Sequence, residues 1–278
     1  MRAPPSILWL HLRQSRLLLF ATTWMTVTVL MAMFPFAIAP YSPNKIFPGN
    51  AGTPPCLQFP FGTDYIGRDV LSQVIWGFST SLVIAIGALL VELLIGLPVG
   101  LLSGYLGGSV DQLLMRITDA ILTIPTIVLL IVAVTLLRVE SIISIILVMG
   151  CINWTWLAKT VRGESLRIRG EDYIPAAKSM GFGDLYIIGR HVLPNIVSTI
   201  IVISTFDMAW FILYEATISF IGLGNPTIPS WGRLLYVGRG FLGSEPWISG
   251  FPGLFICLTV LSFNTIGDFL SSLLGARR

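Results

Sequence analysis

The chain has 278 residues, 54% of them hydrophobic and only 11% charged, and its mean hydropathy is +0.83. Soluble domains carry about 25% charged residues, so this composition excludes an ordinary water-soluble fold. The net charge is only +3, the cysteines Cys56, Cys151 and Cys257 stand far apart, and His11 and His191 are the only histidines, which argues against a disulfide framework, a zinc site and metal catalysis.

Six apolar runs follow in order, at residues 17–39, 81–102, 118–137, 141–158, 192–213 and 251–270. A span needs about 20 residues, and in hydrocarbon the backbone must satisfy its own hydrogen bonds, so each run predicts a transmembrane helix. The expected fold is an all-α membrane protein with six spans and both termini on one side. The first run begins near Arg16 and ends Ala37-Ile38-Ala39, like a signal peptide. Its apolar stretch exceeds the roughly 7–15 residues of a signal core, so it is read as a retained anchor.

Lys and Arg choose the side. Arg2, Arg13, Arg16, Arg116, Lys159, Arg162, Arg167, Arg169, Lys178, Arg190, Arg277 and Arg278 fall on one face, against Lys45, Arg68, Arg138, Arg233 and Arg239 on the other. By the positive-inside rule the first face, with both termini, is cytoplasmic. The resulting division is a tail at 1–16, a first helix at 17–39, an external segment at 40–80, a core of five helices at 81–270 and a tail at 271–278. The external segments are rich in Pro, Gly and aromatics. Trp76, Trp231, Trp247, Tyr41, Tyr65 and Tyr236 suit an interfacial belt.

One polar segment, residues 159–191, interrupts the apolar pattern. Glu171 to Met180 can form a short helix in which Ala176, Ala177 and Met180 give a small, smooth face for close approach of a partner. Gly181 and Gly183 permit a tight turn, Asp184 suits the N-cap of a second helix, and Pro194 suits the start of a new one. The expected shape is a helix–turn–helix lying across the cytoplasmic face. Arg116 and Asp119, three residues apart, can pair along one helix.

No lysine follows a glycine, so a Walker A phosphate loop is absent, and no nucleophile elbow or zinc-protease helix occurs. The chain is not expected to be an enzyme: no residue is read as catalytic or as a metal ligand, and no nucleic acid as a partner.

The segment Ala176, Ala177, three residues, Gly181, nine residues, His191, one residue, Leu193, Pro194 resembles the "EAA" loop of binding-protein-dependent ABC importers, with Pro175 where that motif has Glu. The resemblance extends along the chain: Phe61 to Ser72, Gly104 to Gly108 with Asp111, Met115, Arg116 and Asp119, Ile124-Pro125, Ser219 to Gly224, Ser230-Trp231-Gly232, and Phe263-Asn264 with Gly267-Asp268. These resemble the second permease of dipeptide, oligopeptide and nickel importers, although Phe269 to Arg278 departs from that family's usual ending. The resemblance implies a type I ABC importer permease fold in a prokaryotic inner membrane. It implies a pore shared with a homologous second permease, two ATP-binding cassette subunits holding ATP and magnesium, and an extracytoplasmic solute-binding protein. This chain itself would bind no cofactor. Tyr173, Ala176, Ala177, Met180, Gly181, Leu193 and Pro194 would couple it to the ATPases.

Within the spans, Glu92, Asp207 and Glu215 are costly unless they face an interior or a water path. Two readings stay open for them: lining a cargo pathway, or bonding to a neighbouring helix. Asp64, Arg68 and Asp69 are candidates for external docking, with cap stabilisation as the other reading. Short peptides are the expected cargo. Nickel or a metal chelate is the alternative, and a proton-coupled carrier with Glu92 and Asp207 as relays is the rival.

Overall fold

The computed structural model describes residues 16–138 and 141–275. The Arg2, Arg13, Arg277 and Arg278 contributions to the charge bias lie outside the described residues. The elements are α1 (Arg16–Met33), α2 (Pro35–Ile38), α3 (Val70–Leu106), α4 (Gly108–Leu122), α5 (Thr126–Leu136), α6 (Ile142–Arg169), α7 (Tyr173–Ser179), α8 (Asp184–Ile187), a π-helical turn (Ile188–Val192), α9 (Leu193–Ile221), α10 (Trp231–Gly238), a 3-10 turn (Arg239–Phe241) and α11 (Trp247–Gly275). Five helical stretches are long and apolar enough to cross a membrane, or six if the α4–α5 pair counts as one span. Among the described residues the only β pairing is two isolated bridges, Ile46 with Arg68 and Thr63 with Asp69.

The third expected run does not form one straight helix. Its path bends by 83° between α4 and α5. Pro125 is the cause: it disfavours helical backbone at Ile124 and cannot donate a bond to the preceding turn. The fourth run is longer than expected. α6 continues from the apolar run through the first eleven residues of the polar segment. It does so because its charges find partners on α4: the Arg162 guanidinium donates Nε and Nη2 to Asp111 at 2.6 and 2.7 Å, and Lys159 pairs with Asp119 at 2.6 Å. The expected Arg116–Asp119 pair gives way to that contact between helices.

The chain divides into two compact units, one built mainly from residues 16–86 and Met208–Phe269, the other mainly from residues 87–138 and Ile143–Asp207. In the first, aromatic rings do much of the packing. Trp24 stacks on Phe255 at 5.4 Å, Phe61 on Phe251 at 3.9 Å, and Phe78 meets Trp231 edge-on at 4.7 Å. Each indole also spends its N–H: Trp24 donates to Thr259 Oγ1, Trp231 to the Val74 carbonyl and Trp247 to the Thr63 carbonyl. Trp231 is fully buried, so it is a core residue of this unit and not part of an interfacial belt.

In the second unit, α3 and α6 approach so closely that only glycine fits between them. Gly96, Gly100 and Gly104 repeat every four residues on one face of α3. A β-carbon at these positions would lie 2.9 Å from the Trp154 carbonyl, 2.6 Å from that of Ala158 and 2.5 Å from that of Arg162. From the other helix, a β-carbon at Gly150 would meet Val91 at 2.5 Å. In lipid, apolar burial does not drive helices together, so backbone approach through small residues and dispersion must do it. Gly96, which stands beside Pro98, looks like a bend in the sequence. It is a contact surface, and α3 runs unbroken through Pro98.

Gly100→Leu therefore forces the pair apart. Overpacking of this kind costs about 1–3 kcal/mol. We expect a lowered midpoint of thermal unfolding in detergent. Leu90→Ala, at an exposed position of the same helix, should leave that midpoint nearly unchanged.

Candidate functional site

The polar segment after α6 folds back on the second unit instead of standing free. Ile168, Ile174, Ala177, Ile187, Ile188, Val192 and Ile196 share one buried cluster with Leu101 and Tyr105 of α3 and Leu157 and Val161 of α6. α7 is thus amphipathic, with Ile174 and Ala177 turned in. Tyr173, Ala176 and Met180 are exposed. Ala176 and Ala177 do not form one smooth outward face, because adjacent residues on a helix point about 100° apart. Ala177 is a packing residue, and Ala176 is the small residue on the surface.

The turn after α7 depends on Gly181, whose φ of +86° is left-handed and costs glycine little. Gly183 has an ordinary φ of −71° and is itself the N-cap of α8. Asp184 therefore does not cap α8 with its side chain. It accepts a hydrogen bond from the Tyr105 hydroxyl at 3.1 Å and pairs with Lys178 at 3.1 Å. The Lys178 ammonium also lies 5.1 Å from the Tyr105 ring centre, and the hydrogen bond to Asp184 raises its pKa above the ordinary lysine value. A phenol at the end of α3 thus holds both short helices.

Pro194 does not begin a new helix. The helical path is continuous from Asp184 to Ile221, and it accommodates the proline by widening into a π turn. Leu193 N–H donates to the Ile188 carbonyl five residues back, and the Asn195 side chain donates to the His191 carbonyl at 2.6 Å. Inserted π turns are a known way to relieve a missing helix hydrogen bond.

The outward surface of this segment is apolar and aromatic. Met180 is 70% exposed and Leu185 79%. Phe182 stacks on Tyr186 at 4.7 Å, and both rings are exposed along with Tyr173. Phe182, Leu185 and Tyr186 escaped the sequence reading. The signal was available: three large apolar side chains in a segment otherwise rich in charge.

Elsewhere the predicted residues have internal tasks. Asp64 is fully buried and binds Arg68, its Oδ2 2.7 Å from Nε, while its Oδ1 accepts the backbone N–H groups of Ile66 and Arg68. Asp69 is buried at the start of α3, where it accepts both the N–H and the hydroxyl of Ser72, at 2.8 and 2.6 Å. Burial pushes its carboxyl above the usual aspartate range. Both carboxylates are enclosed, so a docking protein would meet the loop they shape and not the groups themselves.

Glu215 is buried and accepts hydroxyls from Ser81 at 3.2 Å and Ser219 at 2.8 Å. Glu92 is fully buried and accepts from Asn153 Nδ2 at 3.2 Å. Asp207, also buried, lies near enough to act on Glu92 electrostatically. Their Oε2 and Oδ2 atoms find no partner among the described residues.

Residues 96–278 match the family described as "Binding-protein-dependent transport system inner membrane component". The chain belongs to that family. Members are transport permeases of the inner membrane and not enzymes. The oligopeptide transport system permease protein OppC of Bacillus subtilis (strain 168) is 33% identical over 264 residues, covering 94% of this chain and 86% of that protein. The glutathione transport system permease protein GsiD of Escherichia coli O157:H7 is 36% identical over 271 residues, covering 97% and 89%. In structure, the permease resembles a chain of the inward-facing MetNI methionine ABC transporter, with a TM-score of 0.60 and 19% identity over 73% of this chain and 96% of that one. That likeness speaks to the fold alone.

The Asp69 cap gives a test of the external loop. Asp69→Ala removes two acceptor contacts and should cost about 0.5–2 kcal/mol, the range for a lost N-cap. Asp69→Asn keeps an acceptor without the buried charge and should cost much less. Thermal unfolding of the purified permease reads the difference.

Proposed function

We propose that this permease forms half of the pore of an ATP-driven importer and passes short peptides delivered by an extracytoplasmic solute-binding protein. The other half is a homologous permease. Two ATP-binding cassette subunits, carrying ATP and magnesium, dock on the segment formed by α7, α8 and the π turn. That face is cytoplasmic, as the charge bias favours. The peptide cargo draws support from the names of the OppC and GsiD relatives.

The observation that carries the reading is the division of the docking segment. Its inner side chains are packed with α3, α6 and α9 in one core, while its outer ones, Met180 and Leu185 foremost, are apolar and exposed. An apolar knob on a rigid base suits a groove in a soluble ATPase, since it pulls or pushes its base without bending. ATP-driven closure of the two ATPases would then move α3, α6 and α9 as a body and switch the pore between its two openings. Tyr173 and Ala176 belong to the contact face, Ala177 and Leu193 serve the base, Gly181 the turn between, and Pro194 stands exposed at the start of α9.

The test separates contact from base. In the reconstituted importer, Met180→Asp with Leu185→Asp should abolish cargo-stimulated uptake and release the ATPases during purification, with the thermal midpoint of the permease preserved. Ala177→Trp should lower that midpoint. Full uptake by the Met180 and Leu185 double variant would overturn the assigned role.

A further inference from the structure

The first unit carries a cavity of about 330 Å³ lined by Tyr65, Arg233, Tyr236, Arg239 and Phe241 among others. Two cations crowd around one ring there. The Arg233 guanidinium carbon lies 5.1 Å from the centre of the Tyr236 ring and that of Arg239 4.3 Å. Arg239 also lies 5.8 Å from the Phe220 ring and donates Nη1 to the Phe220 carbonyl at 3.4 Å. Among the described residues neither arginine is ion-paired, and no acidic residue lines the cavity.

The platform is built into the fold. Gly222 ends α9 with a φ of +96°, and a β-carbon there would lie 2.7 Å from the Tyr236 ring. The ring thus packs directly on the turn backbone. Trp231 and Leu234 anchor α10 in the core, and Ser230 caps it by accepting the Arg233 N–H at 3.2 Å. On the far rim Tyr65 stacks on Phe241 at 5.0 Å.

A guanidinium over a ring keeps N–H groups for a further partner, and its fork can grip a carboxylate through two parallel bonds; Arg239 commits only Nη1, to the Phe220 carbonyl. Two like charges gathered on one ring repel each other until an anion joins them. We propose that this cavity is a carboxylate-binding site and that its occupant is an acidic side chain of the extracytoplasmic solute-binding protein. The inference rests on the importer reading above, which places this face outside. Charge complementarity and the rim itself select a protein partner: Tyr65 and Arg239 are exposed, Arg233, Tyr236 and Phe241 half-buried, and aromatic residues and Arg are enriched in protein interfaces. The contact is a steering and docking one, so it sets the affinity of encounter and its salt dependence.

The experiment uses the complete importer in lipid nanodiscs with its purified solute-binding protein, and reads ATPase stimulation against binding-protein concentration. Arg233→Gln with Arg239→Gln should raise the half-saturating concentration about tenfold and flatten its dependence on salt. Arg233→Lys with Arg239→Lys keeps the charge without the planar edge and should give an intermediate shift. Co-purification of all subunits, with an unshifted thermal midpoint, checks that the variants fold. An unchanged half-saturating concentration with uptake also unchanged in the double Gln variant overturns the site. An unchanged value with a selective loss of uptake for peptides bearing a free C-terminal carboxylate, against their amides, assigns the cavity to cargo and overturns the docking proposal. If the unaltered importer shows no response to binding protein at all, the importer reading itself fails.

Discussion

The second unit depends on a backbone-to-backbone contact. Gly96, Gly100 and Gly104 of α3 lie against the carbonyls of Trp154, Ala158 and Arg162 on α6, and no side chain larger than hydrogen fits in between. In a bilayer such a contact is stabilised by dispersion over a closely matched surface. It fixes how α3 sits on α6 along three turns, which fixes where their polar ends emerge. Tyr105 then stands where it can hold Asp184, and Asp111 where it can take the two-pronged grip of Arg162. The α7–α8 segment inherits its position from the glycines.

The same arrangement explains why the polar segment mixes residue types. Lys159 and Arg162 of α6 pair with α4, and Lys178 of α7 pairs with Asp184 of α8. The segment's isoleucines close the core beneath, and its methionine, leucine and aromatics stay outside. A free loop would need none of the inward set. A purely structural cap would not hold large apolar side chains in the open, where they are unfavourable unless something covers them. Membrane-inserted charge is treated with equal economy: Glu215 is bonded by serine hydroxyls and Glu92 by Asn153.

Much of this was legible in the sequence because apolar runs in lipid have one solution. The spans, their order and the family appeared in hydropathy and motif spacing. The departures share a cause, namely that the sequence shows a residue type before it shows its neighbour. Pro125 read as part of a span and is its break. Pro194 read as a helix start and sits behind a π turn. Gly96 read as a bend and is part of a four-residue repeat whose meaning depends on α6, some 60 positions later. Asp64 and Asp69 left docking and cap stabilisation open as readings; each finds its donors within a few residues, and Asp69 holds the start of α3 through Ser72. Ala177 read as surface and is core, a distinction that helical phase decides once Ile174 is known to face inward.

The proposed mechanism has the α7–α8 segment move as one body with α3, α6 and α9, and α4 is tied to α6 by the Lys159–Asp119 and Arg162–Asp111 pairs. Double electron–electron resonance tests it most directly. Nitroxides placed at Ser179 and Gln112, both exposed, with the free cysteines Cys56, Cys151 and Cys257 replaced by serine, report the separation of α7 from α4 in the assembled importer. The account predicts one narrow distance distribution that is the same without nucleotide and with ATP bound. A distribution that shifts or broadens when ATP binds would contradict it.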